Sequence, residues 1–267
     1  MDRTARIAWQ KEWASVEKQE ARLEKRASAP REASWKTKVE EKVPEKVARS
    51  LEGAFCKAFA LVFEKGTGVI EKSYRREELE KDHAVRDYAV QLKGDRRSLR
   101  QLQGEAQGGN AKNLLLTAAE GMGLGLLGIG LPDIVLFVGM LLKGIYETAL
   151  RYGFSYDGLA ERMLILRMMD TSLTKGPAWR EKNRAVDSCL HQTLMAAPTR
   201  EEVDRQLRQT AQTFALDMLA LKFIQGLPLV GVLGGAANPV YYHRVMRYVQ
   251  LKYHKRYLYG KRKEMAL

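Results

Sequence analysis

The chain is predicted to be all-α, and three observations carry that prediction. Ala, Leu, Glu, Lys and Arg are abundant while prolines number only 7 in 267 residues, a composition that favours helix. Apolar residues recur at spacings of three and four along most of the chain, and alternating β-branched runs are scarce. Two charge-poor, glycine-rich stretches are each broken at a Gly-Leu-Pro, as expected of helical hairpins.

Residues 5–27 read as a charged helix with Trp9, Trp13, Val16 and Leu23 on one face. Two tryptophans one turn apart suit either a core or a membrane interface, of which core docking is the commoner. Ser28-Ala29-Pro30 ends this helix. The organisation expected is an N-terminal helix and linker over residues 1–42, then one helical domain over 43–267. Pro44 fits the first turn of the next helix, whose stripe is Val47, Leu51, Phe55, Phe59 and Val62. Gly66-Thr67-Gly68 is expected to break it, with a second helix to Tyr74. Residues 75–112 hold 9 Lys/Arg against 7 acids, which predicts solvated helices turning at Gly94-Asp95 and Gly108-Gly109-Asn110.

Leu114–Leu142 contains no Lys or Arg, and only Glu120 and Asp133 are charged. Gly121, Gly123, Gly125, Gly128, Gly130 and Gly139 lie inside it, and Pro132 divides it. Asp133 falls where a helix start favours an acid. Residues 143–167 are expected to be an amphipathic helical region, 171–184 a polar connection, and 185–224 helical again. Phe223–Tyr242 carries no formal charge and includes Gly226, Pro228, Gly231 and Gly235. A shift of 96 positions superposes Gly130-Leu131-Pro132 on Gly226-Leu227-Pro228, Gly139 on Gly235, Tyr146 on Tyr242, and Arg151-Tyr152 on Arg247-Tyr248. An internal repeat of one packing unit accounts for this, its glycines letting helices approach closely. Neither stretch supplies a clean span of about 20 apolar residues, so buried or shallowly inserting hairpins are expected.

The net charge is +13, and residues 243–267 hold 8 Lys/Arg against Glu264 alone. A basic, tyrosine-rich closing helix beside an apolar segment points to an anionic membrane surface, with Arg244, Arg247, Lys252, Lys255 and Arg256 as its contacts. Nucleic-acid binding through the same helix is the alternative with fewer supporting signs. Two cysteines, Cys56 and Cys189, make neither a disulfide framework nor a metal-binding spacing. The charged N-terminus lacks a secretory h-region, so a cytoplasmic protein is expected.

Chemical motifs are weak. Gly123-Leu124-Gly125-Leu126-Leu127-Gly128 matches the dinucleotide fingerprint literally, but Pro132 interrupts the helix that must follow. Gly66–Ser73 approaches a phosphate-binding loop, yet Glu71 stands in place of its second glycine. The four histidines are scattered. Glu120 and Asp133 are the acids costliest to bury, and a hydrolase built on them is the enzymatic alternative. No catalytic, metal-binding or cofactor-binding residue is assigned.

The runs Phe63-Glu64-Lys65-Gly66-Thr67-Gly68-Val69-Ile70-Glu71-Lys72, Lys112-Asn113-Leu114-Leu115-Leu116 and Gly123–Asp133 resemble the EcsC protein family. So do Ile145-Tyr146-Glu147, Tyr152-Gly153-Phe154 and Lys222–Gly231. The resemblance implies membrane association at the inner face of the cell membrane in a bacterium, and a role linked to an ABC-type transporter. It supplies no catalytic residues.

Overall fold

The computed structural model describes residues 3–29, 44–105, 132–191, 197–224 and 237–264. Every regular element among them is helical: α1 (Arg3–Ala27), α2 (Glu45–Leu61), α3 (Thr67–Lys72), α4 (Arg76–Lys93), α5 (Arg96–Glu105), α6 (Pro132–Arg151), α7 (Leu159–Leu173), α8 (Ala178–His191), α9 (Arg200–Ile224) and α10 (Ala237–Glu264). The all-α prediction holds.

The helix faces that the spacing marks are the ones that pack. Trp9 and Val16 of α1 are buried and Trp13 packs beside them, with the Trp9 indole donating to the Leu258 carbonyl at 2.9 Å. The α2 stripe places Phe55 and Phe59 against Phe214 of α9, ring centroids 5.5 and 5.6 Å apart. Phe137 of α6 closes this cluster at 6.3 Å from Phe214. Such offset and edge-on pairs add to the stabilisation from burial alone. Around it, α10 is the central strut, packed on α1, α6, α7 and α8.

Three boundaries differ from expectation. Gly66-Thr67-Gly68 is no break: Val62–Gly66 forms a π turn that leads directly into α3. The widened turn misaligns carbonyls, and Thr67 Oγ1 donates to the Val62 and Phe63 oxygens, both at 3.4 Å. Arg162 adds a bond to the Phe63 carbonyl at 3.3 Å. A Cβ at Gly66 would lie 3.0 Å from Val62 Cγ1, so the glycine answers to the turn. The segment that resembles a phosphate loop is therefore helix, ended by Ser73 Oγ on the Ile70 carbonyl at 2.6 Å. The expected connection at 171–184 shrinks to the residues between α7 and α8, where Gly176 N–H donates to the Ala27 carbonyl at 2.8 Å and ties down α1.

The third difference is a corner inside 143–167, where α6 stops at Arg151. Gly153 has φ +77°, and the bonds from Phe154 N–H to the Ala149 carbonyl and from Gly153 N–H to the Leu150 carbonyl, each 2.9 Å, make a Schellman stop. A Cβ here would sit 2.2 Å from His83 Nε2. That ring is held by Nδ1 against the Arg151 carbonyl at 3.0 Å. Gly153→Ala is expected to cost about 2 kcal/mol, from left-handed strain plus displacement of the ring. The double variant with His83→Ala should recover the clash component, leaving only the backbone penalty in urea titrations. Equal loss with and without the imidazole would refute this account.

Candidate functional site

Much of the basic, aromatic character of α10 is spent inside the protein. Tyr241, Tyr248, Tyr253 and Tyr257 are buried. Their hydroxyls donate to the Asp217 carbonyl at 2.9 Å, Asn183 Oδ1 at 2.6 Å, Glu161 Oε1 at 2.7 Å and Asp87 Oδ1 at 2.7 Å. Burial, first of all, raises the pKa of each phenol. These four therefore offer no open ring for base stacking.

The five basic residues expected at an anionic surface divide. Arg247 is exposed. Arg244 is half-buried and paired with Asp217 at 2.8 Å. Arg256 Nη1 donates to both oxygens of Glu161, at 2.9 and 2.8 Å. Lys252 has no exposed side chain and Lys255 is nearly buried. Lys252 and Lys255 thus face inward, correcting the picture of an open basic face. Burying an ammonium is costly unless it is paired, and here two carboxylates pair two lysines. Lys252 Nζ bonds Glu20 and, at 2.7 Å, Asp187 Oδ1. Lys255 Nζ reaches Glu20 Oε2 at 2.8 Å and Asp187 Oδ2 at 2.9 Å. Burial would raise the Glu20 pKa, but attraction and hydrogen bonds from Lys252 and Lys255 outweigh it and hold it at about 2.

Of the two candidate acids, Glu120 lies outside the described residues, and so do Gly123, Gly125, Gly128, Gly130, Gly226, Pro228, Gly231 and Gly235. Pro132 opens α6 with Asp133 in its first turn, and Gly139 is buried farther along it. Close helix approach is visible instead at Gly144, where a Cβ would lie 2.6 Å from the Tyr242 hydroxyl of α10. In the second copy of the 96-residue echo, the part from Gly226 to Gly235 falls outside the described residues, while Tyr242, Arg247 and Tyr248 lie on α10. Among the described residues no group of His, Cys, Asp or Glu could hold a metal ion.

The surface feature that was missed lies on α4. Val85, Tyr88 and Leu92 are 71%, 61% and 67% exposed, and their spacing of three and four puts them on one face. Lys81 precedes the stripe, while Lys93 and Arg97 flank its far end, all exposed. The acids Glu77, Glu78, Glu80 and Asp82 crowd the first half of the helix. Asp87 is turned inward to Tyr257 and Lys261. At the α4–α5 corner, Gly94 lies against Ala5 of α1, which brings exposed Arg3, Arg6 and Ile7 to the same end. The periodicity was legible, but the high charge of residues 75–112 hid it.

Over residues 10–258 the chain matches the model of a family described as the EcsC protein family. No curated protein matches it, and no solved structure does.

Proposed function

The chain belongs to the EcsC protein family, and from that premise we propose that it is a non-catalytic helical protein that docks peripherally on an anionic membrane surface. Its place on this reading is the inner face of the cell membrane, beside a membrane protein such as an ABC-type transporter. The observation that carries the reading is the α4 stripe. Three large apolar side chains in a row, open to water and flanked by Lys81, Lys93 and Arg97, are unfavourable unless something covers them. An apolar stripe with basic flanks suits the headgroup boundary of an anionic bilayer, which attracts each nearby Lys or Arg by about 1 kcal/mol. No helix among the described residues is long and apolar enough to cross a membrane, so contact by such a face is the mode available to them.

Vesicle flotation tests this. Phosphatidylglycerol vesicles should carry the protein up the gradient and phosphatidylcholine vesicles should not. Val85→Ser/Tyr88→Ser/Leu92→Ser should weaken binding roughly tenfold or more, as expected from lost apolar burial, and Lys93→Glu/Arg97→Glu should weaken it too while flattening its salt dependence, because fewer basic groups then face the anionic surface. Flotation of the triple variant indistinguishable from the parent would sink the assignment to α4.

A further inference from the structure

A cleft of about 550 Å³ opens where α7, α8, the approach to α9, and α10 meet, a size that suits a small ligand. Its charges are not balanced. Arg167, Arg205 and Arg256 reach it from three helices. Glu161 is committed to Arg256 Nη1 and to the Tyr253 hydroxyl. Glu202 turns back to cap α9, its Oε2 accepting from Thr199 N–H at 2.8 Å while its own N–H donates to Thr199 Oγ1 at 3.2 Å. Arg167 Nη1 donates to Cys189 Sγ at 2.9 Å, and no carboxylate pairs with it among the described residues. A guanidinium whose partner is a cysteine sulfur rather than a carboxylate keeps donors for an oxyanion. Met163 and Leu164 supply an apolar wall.

We propose that this cleft binds a small molecule with a phosphate or carboxylate head on an apolar stem, the head held by Arg167 and Arg205 and the stem lying on Met163 and Leu164. The site is separate from the α4 stripe and stands whether or not that face meets a membrane. The oxyanion has two possible sources, a soluble metabolite or a lipid headgroup.

Cys189 lies in the cleft and reports its occupancy. The rate of its alkylation by iodoacetamide, read by mass spectrometry on its own peptide, is compared with and without inorganic phosphate, hexanoate, dihexanoyl phosphatidic acid and dihexanoyl phosphatidylcholine. An anionic probe at ten times its Kd should slow labelling roughly tenfold, since only the open fraction reacts. Protection by phosphate or hexanoate supports a soluble ligand, and protection by the phosphatidic acid alone supports a headgroup. Arg167→Gln and Arg205→Gln, each compared with its own ligand-free rate, should abolish protection while thermal melting stays cooperative. Should Arg167→Gln fail to fold, the exposed Arg205→Gln decides. No protection by any anion overturns the proposal, as does equal protection by the phosphatidylcholine or protection that survives Arg205→Gln.

Discussion

Replacing Lys252 by methionine is expected to lower the free energy of unfolding by about 3–5 kcal/mol, seen as a fall in urea midpoint at unchanged m-value. The side chain has no exposure and bridges Glu20 of α1 to Asp187 of α8. Methionine keeps the length and removes the charge, so two carboxylates are left sharing only Lys255. One of them must then take up a proton or draw in water. Asp187→Asn on the methionine background should cost less than the same change in the parent, because it then relieves a repulsion. The surface pair Arg49–Glu45 sets the contrast, since both partners are largely exposed. Removing it is expected to cost well under 1 kcal/mol. A loss below about 1 kcal/mol for Lys252→Met would mean that the site admits water and the network carries little of the fold.

That network also explains how far the sequence could be read. The stripe of α2, the tryptophan face of α1, the turn at Gly94 and the start of α6 at Pro132 were legible, because each depends on residues within a few turns of one another. The direction in which α10 faces was not. Eight basic residues near the end of a chain look like a solvated face when counted locally. Lys252 and Lys255 are neutralised instead by Glu20, 232 positions from Lys252, and by Asp187, 65 positions away. Burial of a charge is decided by its partner, and spacing says nothing about a partner that distant. The α4 stripe fails in the opposite sense. Its period of three and four could be read at once, but only the packed helices reveal that nothing in the described fold covers it. The corner at Gly153 was hidden because Arg-Tyr-Gly-Phe continues an apolar periodicity, and only the positive φ marks the stop.

Acid should weaken the protein in two stages, and His254 sets the first. Its imidazole is buried and stacked on Tyr152 at 5.9 Å, and Nδ1 has no hydrogen-bond partner among the described residues. Burial lowers its pKa from 6.5 to about 4, and attraction from Glu12 recovers only part of that. The unfolded chain therefore binds the proton more readily between these values. The contribution to stability is complete above pH 6.5 and is lost as the pH falls toward 4, reaching about 3 kcal/mol in all. Glu20 acts lower, because its folded pKa is depressed from 4.5 to about 2. Its contribution is intact above pH 4.5 and is lost on descent toward 2. His254→Leu should flatten the fall in urea midpoint between pH 6.5 and 4.5 and leave the steeper loss below pH 4.5 in place. Since Nδ1 makes no bond, leucine forfeits packing rather than a hydrogen bond at that atom, and its stability at pH 7.5 should remain close to that of the parent. An unchanged slope across pH 6.5 to 4.5 in the leucine variant would assign that part of the acid response elsewhere, and not to Asp87, whose pKa, against the pull of burial, is lowered from 3.8 by Lys261 and Tyr257, so that its contribution is lost only below that value, alongside Glu20.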